Sequence, residues 1–164
     1  MRILATGRRA HSAEAEALGV EPSTMDEVIA SSEVLALHAR LTAETQHLIS
    51  KDQLAAMKLG SYLINTSRRP LVDEEALAES LEAGQLARAG LDVHGYEPRV
   101  NERLRHLENV VRLLHVGSAG DATRKKMATL AFQNLVAVLG SQNPLSPVAS
   151  LSKRTRGGHL PPRT

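Results

Sequence analysis

The chain has no cysteine, no tryptophan, one Phe and two Tyr. Without cysteine, disulfides, thiolate metal sites and a cysteine nucleophile are excluded, and the composition fits a reducing compartment. Without large aromatics the core has to be built from Leu, Val, Ile and Ala, which suits a sheet with helices on its faces. No apolar run approaches the roughly 20 residues that cross a bilayer. The opening MRILATGRR is basic but carries no apolar segment of signal-peptide length, so no membrane partner is expected and the cytoplasm is the expected compartment. An excess of either charge is also lacking: 20 Lys and Arg against 18 Asp and Glu leave a formal +2. Much of that excess sits in the closing KRTRGGHLPPR. Neither the basic face nor the stacking aromatics of a nucleic-acid reader are present. The seven histidines have no metal-ligand spacing, so no metal is expected.

At 164 residues the chain is long enough for one domain with a core. Short apolar runs alternate with helical patterns, the mark of βα units and a parallel sheet. The pattern predicts strands at 3–6, 34–38, 61–65, 86–92 and 110–114, with 34–38 buried. Helices are predicted from Ser12, from a capping-box pattern at Thr24 to Glu27, from Ser50, and from Asp73 with acids in its first turn. A long helix is predicted from Asp121 to Leu139, with Met127, Leu130, Ala131, Leu135 and Val138 at helical spacing. Residues 1–148 read as the domain and 149–164 as a disordered basic tail. No G-x-G-x-x-G occurs, the turn that brings backbone amides to a pyrophosphate. The fold class is therefore α/β, an incomplete Rossmann-type doubly wound parallel sheet that opens on its second strand.

In such sheets the ligand crevice lies outside the carboxyl ends of the strands. Thr66-Ser67-Arg68-Arg69 follows one strand, and an Arg there can hold a carboxylate with two parallel hydrogen bonds; alone, it also reads as a solvent-facing loop residue. Asp92-Val-His94-Gly-Tyr-Glu97 follows another, where Asp92 or Glu97 could raise an imidazole's pKa and fix its tautomer; alone, it reads as a turn. His115-Val-Gly117-Ser118 ends a third strand and reads as a general acid–base near a helix N-terminus, or as a partly buried structural histidine. Thr6-Gly-Arg8-Arg9 follows the first strand, where a dinucleotide fold meets the adenine ribose. Two Arg and no acid there favour NADP over NAD, unless the pair is merely solvated.

In order, ALHARLTAETQHLI, YLINTSRRPLVDEEAL, LARAGLDVHGYEP, NVVRLLHVGSAG and TRKKMATLAFQNLVAVL resemble the D-isomer-specific 2-hydroxyacid dehydrogenases. The resemblance runs from Met1 to about Val148, and the TGRR turn is most similar to the glyoxylate and hydroxypyruvate reductases. It implies hydride transfer from NADPH or NADH to a small 2-oxo acid. Arg68 matches the Arg that grips the substrate, His115 the general acid and Glu97 the acid paired with it. Asp92 matches the contact to the nicotinamide amide, Gly117 a neighbour of that ring, and Thr66 with Arg8 and Arg9 the cofactor contacts. Relatives also carry a substrate domain and a Gly-rich first βα unit ahead of this segment. The resemblance therefore implies an N-terminally truncated chain, inactive alone, that pairs as a homodimer or with a missing N-terminal half. The alternative is a non-catalytic dinucleotide-binding or interaction module of corepressor type, or a decayed remnant. Four positions depart from the family pattern: Arg69 for Gly, with crowding or backbone strain expected, Arg40 and Leu114 for Pro, and Gly120 for Thr.

Overall fold

The computed structural model describes residues 1–93 and 101–147, which fall into two compact units, 1–117 and the part from Ser118 onward. The first unit runs β1 (Ile3–Ala5), α1 (Ala13–Ala17), β2 (Val20–Pro22), α2 (Met25–Ser31), β3 (Val34–Leu37), α3 (Lys51–Ala56) and β4 (Ser61–Asn65). A 3-10 turn (Arg69–Leu71), α4 (Glu74–Glu82), β5 (Leu86–Leu91), α5 (Glu102–His106) and β6 (Val110–Arg112) complete it.

All strand pairs are parallel, as strands joined through helices must be. They form two sheets, β1-β2 and β3-β4-β5-β6. Among the described residues, β1 and β3 are each hydrogen-bonded to a strand on one side only. The expected α/β class and parallel sheet are thus present, with the sheet in two pieces. In the larger piece Leu35, Leu63, Ala89 and Val110 are register partners, and so are Leu37, Asn65, Leu91 and Arg112. Leu35, Leu37, Leu63, Ala89, Leu91 and Val110 are buried in one core with Leu54 of α3, Leu77 and Leu81 of α4 and Leu104 of α5. Leu4 of β1 packs on the same core.

The expectation that 34–38 is a buried strand holds for one face only. Val34 is 58% exposed, and Tyr62 and Val111, on the same side of neighbouring strands, are exposed at 41% and 58%. A β-strand sends alternate side chains to opposite faces, and here a single face carries the core.

Local chemistry places the helices. The Thr24 hydroxyl accepts from the Glu27 amide at 3.2 Å, so half of the expected capping box forms; the Glu27 carboxylate goes to the Ser23 hydroxyl instead. Asp73 accepts from the Glu75 and Ala76 amides at 3.1 and 3.2 Å and starts α4. In the second unit, α6 (Asp121–Leu139) has the expected bounds. Its cap is Gly120, which has no side chain to offer the first amides. No residue of α6 is buried, so the apolar spacing at Met127, Leu130, Leu135 and Val138 marks exposed positions. The expected boundary at 148 and the tail 149–164 lie outside the described residues.

Candidate functional site

The sequence-predicted residues gather at the carboxyl ends of the parallel strands. Thr66 directly follows β4 and Arg68 comes two residues later; Asp92 directly follows β5; His115 and Gly117 follow β6. These three strands are adjacent, so Thr66, Arg68, Asp92, His115 and Gly117 share one edge of one sheet. Arg8 and Arg9 follow β1 at the corresponding end of the two-stranded sheet. Glu97 and His94 lie outside the described residues.

The turn that carries Arg68 is fixed by a residue to which sequence reasoning gave no role of its own. Asn65 is buried to 1% exposure; its Oδ1 accepts from the Ser67 amide and its Nδ2 donates to the Arg68 carbonyl, both at 3.1 Å. The Ser67 hydroxyl donates to the Leu37 carbonyl at 2.6 Å, tying the ends of β4 and β3 together. The available signal was an Asn ending an apolar run two residues before a Ser, an Asx-turn pattern. The Arg68 guanidinium is exposed and donates to the Ser67 carbonyl at 2.7 Å. His38, Ala39, Arg40, Leu41, Thr66, Ser67 and Arg68 line an open cleft of about 560 Å³. The lining residues include two arginines, a histidine and no acid.

Arg69 does not strain the backbone. It begins the 3-10 turn, and the non-glycine residues of left-handed φ among those described are His47, His115 and Ser141. Its guanidinium lies 3.8 Å from the Glu74 carboxylate, which is 9% exposed. Arg40 uses its carbonyl to accept from the Thr45 hydroxyl at 2.7 Å, ordering the loop after β3.

At the neighbouring strand end Asp92 is 3% exposed. Its Oδ1 accepts from the Val116 amide at 2.8 Å and its Oδ2 from the Gly117 amide at 2.7 Å. Its backbone carbonyl accepts from the His115 amide at 3.0 Å, and its own amide donates to the Asn65 carbonyl at 3.0 Å. Gly117 is where it is because a Cβ there would stand 2.8 Å from the Asp92 Oδ2. His115 itself is exposed and has φ +55°, so its reading as a buried structural histidine fails. The next helix in sequence, α6, starts six residues on, at Asp121.

The turn after β1 opens with Gly7 at φ +106°, a conformation that glycine adopts without penalty. Arg9 is 90% exposed and 3.5 Å from Glu14, itself 79% exposed. Among the described residues no group of three or more His, Asp or Glu is placed to hold a metal ion, and no helix is long and apolar enough to cross a membrane.

By class, a parallel α/β sheet that collects Thr66, Arg68, Asp92 and His115 past its carboxyl ends is a nucleotide-binding architecture. The chain belongs to the D-isomer specific 2-hydroxyacid dehydrogenase family: residues 1–117 match the model of that family's NAD binding domain. It is 44% identical over 143 residues to the glyoxylate/hydroxypyruvate reductase B of Pectobacterium atrosepticum, covering 87% of this chain and 45% of the relative. Among solved structures it is similar to a glyoxylate reductase from Paecilomyes thermophila, with TM-score 0.85, 35% identity, and coverage of 92% of this chain and 45% of the other. It is also similar to an NADPH-dependent glyoxylate/hydroxypyruvate reductase from Sinorhizobium meliloti in complex with NADP and malonate, with TM-score 0.75, 32% identity, and coverage of 90% and 53%. The chain spans about half the length of the relatives it matches.

Proposed function

We propose that this chain carries the cofactor-binding and proton-donating part of an NADPH-dependent (or NADH-dependent) reductase of small 2-oxo acids such as glyoxylate or hydroxypyruvate. The observation that carries the reading is the gathering of Arg68, Asp92 and His115 at adjacent carboxyl ends of one parallel sheet. NADPH, when bound, supplies a hydride to the carbonyl carbon. The chain's own residues do the rest. Arg68 holds the substrate carboxylate with its planar fork. His115, as imidazolium, gives its proton to the carbonyl oxygen as negative charge develops there, leaving a 2-hydroxy acid. Glu97 is assigned to keep that imidazole charged. Thr66, Asp92 and Gly117 are assigned to the nicotinamide end.

Arg8 and Arg9 fit a 2′-phosphate. They project from an exposed turn, and the open Arg9–Glu14 pair is a weak one that a phosphate can displace. In this reading residues 1–148 form one part of a cofactor domain, the assembly is a homodimer or includes a separate N-terminal half, and the compartment is the cytoplasm.

Two measurements test it. In a fluorescence titration NADPH binds, and the double change Arg8→Ala with Arg9→Ala weakens it at least about tenfold while NADH is affected less. Absence of binding by either dinucleotide refutes the reading. In a steady-state assay with glyoxylate and NADPH, the chain on its own turns over far below the ~10 s⁻¹ of a median enzyme, because the cleft beside Arg68 is open and does not exclude water.

A further inference from the structure

We infer that Asp92 is a positioning residue: its carboxylate clamps the Val116–Gly117 backbone and so sets where His115 stands. The inference rests on the proposed role of His115 only for its catalytic consequence; the clamp itself is a matter of geometry. Both carboxylate oxygens are engaged, one by each of two consecutive amides, at 2.8 and 2.7 Å. The backbone of the same residue receives the His115 amide and gives its own amide to Asn65, at 3.0 Å each. One buried residue thus joins the ends of β4 and β5 to the loop after β6, with a contact on three successive residues, 115, 116 and 117.

Such a clamp has a use here. His115 is held at φ +55°, a region that L-residues enter at a cost and keep only when their surroundings over-determine them. The loop is exposed at His115, Val116 and Gly117, and the hydrogen bonds that its amides donate to a buried carboxylate contribute to that determination, since bonds to a charged acceptor are the stronger kind and this acceptor is shielded from solvent. The clamp also makes a demand on sequence. Gly117 has no positive φ to justify glycine, yet a Cβ there would approach the Asp92 Oδ2 to 2.8 Å. A side chain at 117 would have to push the Asp92 carboxylate aside, which is the contact that makes the clamp.

This assignment differs from a cofactor contact in what it predicts. Asp92→Asn replaces one acceptor by an amide NH2 that faces a backbone N–H, so at least one of the two bonds is lost. Gly117→Ala keeps the carboxylate and obstructs the contact from the other side. The test is a 15N and 13C NMR comparison of the two variants with the parent chain, without cofactor. In both variants the Val116 and Gly117 amides move upfield and exchange at least about tenfold faster, and the His115 ring resonances shift. The amides of Leu63 and Ala89 in the sheet core keep their protection, which reports that the fold is intact. NADPH titration is run alongside. Unchanged signals at 115–117 in Asp92→Asn, with or without weakened NADPH binding, overturn the clamp. Changed signals in both variants support it even if NADPH does not bind at all, an outcome that would overturn the reductase reading alone.

Discussion

Asn65 and Asp92 stand out among the polar residues near the strand ends in being buried, with each side-chain polar atom hydrogen-bonded. Asn65 occupies its Oδ1 and Nδ2 within three residues of itself, and its carbonyl accepts the Asp92 amide. Replacing it by Leu, of similar volume, takes the side-chain acceptor from the Ser67 amide and leaves the Arg68 carbonyl with the Leu71 amide alone, in a part-buried turn. The expected cost is about 1–3 kcal/mol, read as a lower midpoint in urea with an unchanged slope. Asp73 is a simpler case: Asp73→Ala removes the acceptor for two amides at the start of α4 and should cost about 1 kcal/mol in the same measurement. If Asp73→Ala is neutral while Asn65→Leu is costly, the cap bonds are replaced by water and the buried turn is not. Arg68 belongs at this scale too. Its guanidinium is exposed, so Arg68→Lys should leave stability within about 0.5 kcal/mol of the parent.

Elements were legible in the sequence where their signals are local. The start of α4 follows from an Asp before two Glu and that of α2 from Thr24, because caps act within one turn, and α6 follows from apolar residues at helical spacing over 19 residues. Two elements escaped. β2 is three residues ending in Pro22, a residue that argues against a strand except at an edge, and α5 is five residues, too short to develop a period. The site divides in the same way. The strand-end rule locates Arg68, Asp92 and His115, but the bonds from Asp92 to amides 24 and 25 residues away in sequence have no local trace. Contacts between elements carry their own prediction. Arg103 of α5 meets Glu82 at 2.6 Å and Glu75 at 3.2 Å of α4. The hydrogen bond from Arg103 holds the Glu82 carboxyl below its usual range. A carboxyl depressed in the folded state contributes stability above its unfolded pKa, and that contribution is lost as pH falls through the folded value. Glu82→Gln should therefore flatten the acid limb of a stability-against-pH curve below about pH 4, and change nothing in its slope near pH 7. Because the pair is open to solvent, the difference between parent and variant should shrink in added salt.

At the scale of the molecule, a parallel sheet is normally covered on both faces, because its crossover helices fall on either side. Here the core lies on one face of the four-stranded sheet, while Val34, Tyr62 and Val111 on the other remain open. The outer edge of β3 adds a row of backbone groups with no strand beside it among the described residues. The second unit brings its own apolar exposure: Leu130, Phe132, Leu135, Val136 and Val138 lie at successive angles round α6, and all are at least 43% exposed. A helix that is apolar on several sides is ordinarily a buried one. Surfaces of this kind drive association by the area they remove from water, at about 25 cal/mol per Å². Sedimentation of the purified chain should accordingly give a mass that rises with concentration. Val34→Lys with Val111→Lys places charge on the open sheet face without touching the core, and should lower that mass at equal concentration. A chain that stays monomeric throughout, or a double variant that associates as the parent does, would show that the open sheet face is not what draws molecules together.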